Sequence, residues 1–124
     1  MIMPAPPVPQ FEFVSDLTGF RAPGWIIVRL PGRLRRKQDL LQALATGLKF
    51  PSYFGFNWDA LEECLCDLSW LDAEKGVVLL HEQIPLADRE QRETYTEILH
   101  NAQAAPGIPL RVIFPRGAQE NQIQ

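Results

Sequence analysis

F-P-S-Y-F-G-F-N-W-D-A-L-E-E-C-L-C-D, residues Phe50 to Asp67, is the stretch on which the reading of this chain turns. Pro51 lacks an amide hydrogen and Gly55 is conformationally free, so a helix arriving from upstream stops here. Asn57 then offers a side-chain oxygen to the free N–H groups of a new helix. The segment reads as a loop running into a helix. On that helix Asp59 and Glu63 stand four residues apart and Glu62 three from Asp59, so the carboxylates share one side. Acid near a helix start is favourable, but this is more than a cap requires.

Upstream, Leu40, Leu41, Leu44 and Leu48 recur at helical spacing and predict an amphipathic helix over Gln38 to Leu48. Downstream, Leu61, Cys64, Leu65 and Leu68 form the inner face of the helix at Asn57, and Trp70 and Leu71 close that unit. Three continuous apolar runs read as buried strands: W-I-I-V-R-L from Trp25, G-V-V-L-L-H from Gly76 and L-R-V-I-F from Leu110. Between the last two, Tyr95, Ile98, Leu99 and Ala102 predict a helix over Asp88 to Ala105, stopped by Pro106-Gly107. Each connection is long enough to carry helices, so the fold class is α/β with a small parallel sheet. Phe11 to Val14 alternates apolar and polar residues, as a short edge strand or a segment packed on the domain does.

Five of the eleven prolines fall within the first 23 residues, where P-A-P-P-V-P forms neither helix nor central strand. This divides the chain into a proline-rich N-terminal extension (1–24), one α/β domain (25–115) and a polar C-terminal tail (116–124). At 124 residues the chain has room for one domain with surface enough to bury a core unaided. No stretch approaches the roughly 20 apolar residues of a membrane span, and no basic segment precedes an apolar run at the N-terminus. Two cysteines, Cys64 and Cys66, two residues apart on one helix, point in different directions, which fits a reduced setting. The expected location is cytoplasmic.

A net charge of −3 conceals a division. Residues 1–49 carry +4, residues 50–101 carry −8 and residues 102–124 carry +1. The segment holding the opening stretch thus has a strong negative field, unsuited to nucleic acid and suited to a basic partner. Arg33 to Lys37, four basic residues in five, lacks interleaved aromatics and reads as the solvated approach to a helix.

Chemistry is scarce. His81 ends a strand and His100 sits in the last helix; neither spacing suggests a metal site, and both read as solvent or interface residues. Cys64 lies on the apolar face, and Cys66 has no activating base. Asp59 and Glu63, four apart on one helix, cannot readily flank a sugar from two sides as glycosidase carboxylates do. Neither phosphate-loop nor dinucleotide-binding glycine patterns occur. No cofactor is expected, and nothing demands an enzyme. Tyr53, Phe54, Phe56 and Trp58 beside Asp59, Glu62, Glu63 and Asp67 resemble the aromatic anchors and charges of a binding hot spot. Composition alone leaves equally open that the aromatics cap the core while the acids are solvated.

The leucine-bearing helix ending at Leu48, the motif F-P-x-Y-F-G-x-N-W-D-A-L and Cys64-Leu65 together resemble the barstar-type ribonuclease inhibitors. The strands near 78 and 112 and the helix near 95 extend the resemblance from about Ile26 to Phe114. It implies a small three-stranded parallel sheet packed with helices. It further implies stoichiometric inhibition of a small basic ribonuclease, whose active site is blocked by an acidic loop and helix that imitate RNA phosphate. By position, Tyr53, Gly55 and Asn57 shape the loop and Asp59 meets active-site cations. Glu63 falls where the family's best-studied member has an aspartate in the phosphate site; here the carboxylate is one methylene longer. Glu62 stands in place of a tryptophan contact, and Asn101 in place of an acidic residue on the last helix. The expected partner surface is Tyr53, Phe54, Gly55, Asn57, Trp58, Asp59, Glu62, Glu63, Cys66, Asp67 and Asn101. The alternative is an interaction module of the same fold that binds a different basic protein.

Overall fold

The structure is a computed structural model that describes residues 10–117. The apolar runs become strands Glu12–Val14 (β1), Trp25–Leu30 (β2), Gly76–His81 (β3) and Leu110–Pro115 (β4). The helices are Lys37–Gly47 (α1), Trp58–Asp67 (α2) and Arg89–Ala104 (α3). All four strands run parallel in the order β1-β4-β3-β2.

The sheet therefore has one strand more than the three expected. Glu12, Phe13 and Val14 pair with Ile113, Phe114 and Pro115, so the sheet begins upstream of residue 25. Side chains explain why so short a strand docks. Arg111 on β4 reaches Glu12 with two N–H groups, at 2.9 and 2.7 Å. The rings of Phe11 and Phe13 lie 5.4 and 6.2 Å from that of Phe114. At the other end the Arg116 amide donates to the Val14 carbonyl at 2.9 Å, which carries the pairing just past residue 115. The proline-rich lead before residue 10 and the tail beyond residue 117 lie outside the described residues.

Alternate residues of each strand serve opposite faces. Val77 and Leu79 on β3, with Leu110, Val112 and Phe114 on β4, join the main core with the buried leucines of α1, α2 and Leu99 of α3. Val78, Leu80 and Ile113 face the other way and form a smaller cluster with Ala22. That second face is covered by the 15–24 connection, whose Leu17 and Phe20 pack against it. Arg29 clamps the connection in place, donating to the carbonyls of Leu17 at 2.9 Å and Phe20 at 3.4 Å. The guanidinium of Arg111 lies 5.5 Å from the Phe20 ring and 5.3 Å from the Trp25 ring. Seen this way, residues 11–24 belong to the folded body.

Two close backbone approaches fix where the helices lie. A Cβ on Gly47 would stand 2.5 Å from Val28 Cγ1, so α1 ends pressed against β2. A Cβ on Gly107 would stand 2.6 Å from the Cys66 carbonyl oxygen, so the turn after α3 abuts the end of α2. The end of the acidic helix is thereby held against the turn after α3, and α3 is its main packing partner.

Candidate functional site

The first helix ends as a Schellman motif. The Phe50 amide donates to the Ala45 carbonyl at 2.9 Å and the Lys49 amide to Thr46 at 3.4 Å, with Lys49 in the left-handed region at φ 53°. The helix thus closes before Pro51 is reached. Phe54 then donates its amide to the Pro51 carbonyl at 3.0 Å, making a turn. The left-handed residue of this loop is Phe56, at φ 53°, and not Gly55. A bulky residue held there stores of order 1–3 kcal/mol of strain. Gly55 contributes room: a Cβ would come within 3.1 Å of Asn57 Nδ2.

Asn57 caps α2 as its position predicts, its Oδ1 accepting from the Ala60 amide at 2.8 Å. The helix turns Leu61, Cys64 and Leu65 into the core and leaves Asp59, Glu63 and Asp67 in solvent. These three carboxylates have no ion pair or side-chain hydrogen bond with any described residue. Beside them Tyr53 is 77% exposed and Phe56 39% exposed. Acid and aromatic surface therefore sit together on a rigid, capped support.

Not every expected partner residue reaches this surface. Phe54 is buried, its ring 4.8 Å from both Phe50 and Phe56, because the turn at Pro51 folds it back onto the end of α1. Phe56, which the resemblance did not single out, is the ring presented outward; the left-handed backbone at that residue swings it clear. Trp58 is half-buried, 6.4 Å from the Tyr95 ring and under the Lys37 ammonium at 5.2 Å. Glu62 leans away from Asp59 and Glu63 toward α3, where its Oε1 accepts from Asn101 Nδ2 at 2.7 Å. Glu62 and Asn101, 39 residues apart in the chain, are thus one unit in the fold. Cys66 is half-buried, and burial together with the charge of Glu62 pushes its thiol up. Cys64 is pushed up by burial and by Glu63 and Asp67, so both thiols hold their protons more firmly than an unperturbed cysteine does.

His81 corrects the expectation of a solvent or interface role. It is buried, its ring 4.3 Å from that of Phe114. Its Nδ1 lies 3.0 Å from the Ile113 carbonyl and its Nε2 2.8 Å from the Tyr95 hydroxyl. A carbonyl only accepts, so Nδ1 carries the proton and Tyr95 donates to Nε2. Burial lowers this imidazole to about 4, outweighing the carbonyls that favour its charged form. Among the described residues no group of His, Cys, Asp and Glu could hold a metal ion, and no helix is long and apolar enough to cross a membrane.

The family model described as Barstar (barnase inhibitor) matches residues 16–115, a span that holds the exposed acidic helix, the capped aromatic loop before it and strands β2, β3 and β4. The chain belongs to the barstar family. No curated protein matches it. Barstar-family proteins are inhibitors and not enzymes, and membership carries their general function, inhibition of a ribonuclease. β1 lies just upstream of the matched span, on the sheet edge away from β2.

Proposed function

We propose that this barstar-family protein inhibits a small basic ribonuclease by laying the loop from Tyr53 and the helix to Asp67 over its active site, and that it does so in the cytoplasm. The observation that carries this reading is a pair of solvent-facing carboxylates, Asp59 and Glu63, one helical turn apart and unpaired with any described residue. A ribonuclease site is lined with cations that hold phosphate. Carboxylates fixed on a helix satisfy those donors while offering no bond to cleave. The helix is already ordered, so little conformational freedom is lost on docking. Tyr53 and Phe56 supply apolar contact beside the charges, and Trp58 supports the helix start from beneath.

Titrating the purified protein into RNA-cleavage assays with barnase and a panel of other small basic guanyl-type ribonucleases tests the proposal. The expected result is one-to-one loss of cleavage for at least one of them, with the Asp59→Ala, Glu63→Ala double variant giving much weaker inhibition. Failure against every member, with a different basic protein bound through the same residues, would transfer the surface to the alternative role of an interaction module.

A further inference from the structure

We infer that β2 pairs antiparallel with the β2 strand of a second copy of this chain, joining the two sheets across a two-fold axis at Ile27. The surface involved is separate from the acidic helix. β2 is an end strand of the sheet, with β3 as its strand neighbour on one side. The Leu30 carbonyl accepts from the Glu82 amide at 3.1 Å and the Gly24 carbonyl from the Lys75 amide at 3.0 Å, so the even-numbered residues turn their backbone groups toward β3. Backbone groups alternate sides along a strand, and those of Trp25, Ile27 and Arg29 face outward. The Trp25 amide is already bonded to the Ala22 carbonyl at 3.0 Å. The Trp25 carbonyl and both backbone groups of Ile27 and Arg29 have no hydrogen bond with any described residue.

Open sheet edges are commonly blunted by brevity, proline or lysine. The opposite edge is short, since β1 has three residues. β2 has six, W-I-I-V-R-L, with neither proline nor lysine, and Trp25, Ile26 and Ile27 are only half-buried. Its one charge, Arg29, is drawn away from the edge by the carbonyls of Leu17 and Phe20. Beside the edge an open groove runs between Val28 and Pro31 on one wall and Gln42, Ala43 and Thr46 of α1 on the other, with room for the side chains of an added strand. The strand that fits is β2 itself. About a two-fold at Ile27, the Ile27 groups of the two copies bond each other and each Arg29 amide meets the other copy's Trp25 carbonyl. The donor left out is the Trp25 amide, which already has its partner. Directly opposite residues share a face, so Ile26 of one copy lies against Val28 of the other, at the groove. Charge selects the antiparallel direction. It sets the two Leu30 residues roughly 20 Å apart, beyond the screening length of about 8 Å, so the basic stretches from Arg33 to Lys37 stay apart. Parallel pairing would place them side by side.

Sedimentation equilibrium of the full chain from about 10 μM to about 1 mM should show its mass rise toward that of two chains. Over the same range, hydrogen exchange followed by NMR should show the Ile27 and Arg29 amides become protected. Thr46→Glu, an exposed change on the groove wall, sets two carboxylates against each other near the axis and should raise the dimer dissociation constant about tenfold or more. Ile27→Pro deletes the central amide and should act likewise, while Thr94→Glu on α3 should change nothing. Thermal melts separate misfolding from lost pairing. A monomer throughout with fast-exchanging amides, a dimer whose Ile27 and Arg29 amides exchange fast, or a dimer indifferent to Thr46→Glu overturns the inference. So does protection in a monomer, which would give the edge to the chain's own terminal segments, or protection that appears only with a ribonuclease, which would give it to a strand of that partner. Thr46→Glu should inhibit ribonuclease as the parent does, so the dimer and the inhibitor reading fail separately.

Discussion

The imidazole of His81 makes the chain's stability depend on acid. In the folded protein it binds a proton only below about 4, whereas the unfolded chain takes one at the ordinary value of 6.5. Between those limits the unfolded state holds more protons, so stability is complete above about 6.5 and is lost as pH falls toward 4. At about 1.4 kcal/mol per unit the loss is on the order of 3 kcal/mol. Urea unfolding across that window should show the decline, and His81→Leu should flatten it even if the variant is less stable throughout. Tyr95 is the companion case. Its buried hydroxyl is the donor that satisfies Nε2, and burial raises its own ionisation far above the ordinary range. Tyr95→Phe keeps the ring under Trp58 and deletes the donor, so it should cost about 1–3 kcal/mol in urea unfolding. Neither role was legible in the sequence. His81 at a strand end looks solvent-facing until Phe114 and Tyr95, distant in the chain, are brought over it.

At the level of the element, α2 is the most legible part of the chain. Asn57 as cap and the leucine and cysteine spacing settle its start and its inner face, because capping and helical period are local properties. Which aromatics of the preceding loop face outward was not local. Phe54 and Phe56 are both phenylalanines two residues apart, and the turn at Pro51 with the left-handed backbone at Phe56 decides that the first is core and the second surface. On the exposed side, Asp59→Ala and Glu63→Ala should each weaken ribonuclease binding. A carboxylate that fills a buried cationic site accounts for about 2–5 kcal/mol, a general figure for which the barnase–barstar pair is itself a reference case. The fall in association rate should be larger at about 10 mM salt, where screening acts over about 30 Å, than at 150 mM, where it acts over about 8 Å. Stopped-flow mixing at the two salt concentrations measures this. Equal binding by parent and variants would remove α2 from the interface.

Across the whole molecule, the N-terminal segment is the chief departure from the three-stranded expectation. Two of the side-chain contacts that hold β1 differ in magnitude. The Glu12–Arg111 pair leaves about a third of each side chain exposed, at 39% and 32%, and a pair so wetted is worth roughly 1 kcal/mol or less. Phe13 packs against the main core beside Phe114, and truncating a half-buried ring removes about half of the roughly 1.5–3 kcal/mol that full burial gives, together with the ring's packing contacts. Urea unfolding of Phe13→Ala should therefore show a greater loss than Glu12→Gln. Neither change should alter inhibition, since β1 lies on the sheet edge next to β4, whereas α2 packs chiefly against α3. A reversed ranking would mean that the ion pair, and not the aromatic packing, docks the strand.

Three of the four strands, the three helices, the Asn57 cap, the α/β class and the acidic character of the helix at Asn57 are legible along the chain. Those follow from apolar period, from capping chemistry and from charge, all of which act within a few residues. Packing across the chain is what makes Glu12–Val14 a fourth strand, His81 a buried acceptor for Tyr95, Phe56 rather than Phe54 the exposed ring and Glu62 a partner of Asn101. Each of these depends on two segments meeting across 14 to 99 residues of chain or on a backbone angle set by packing, and spacing along a sequence carries no record of either.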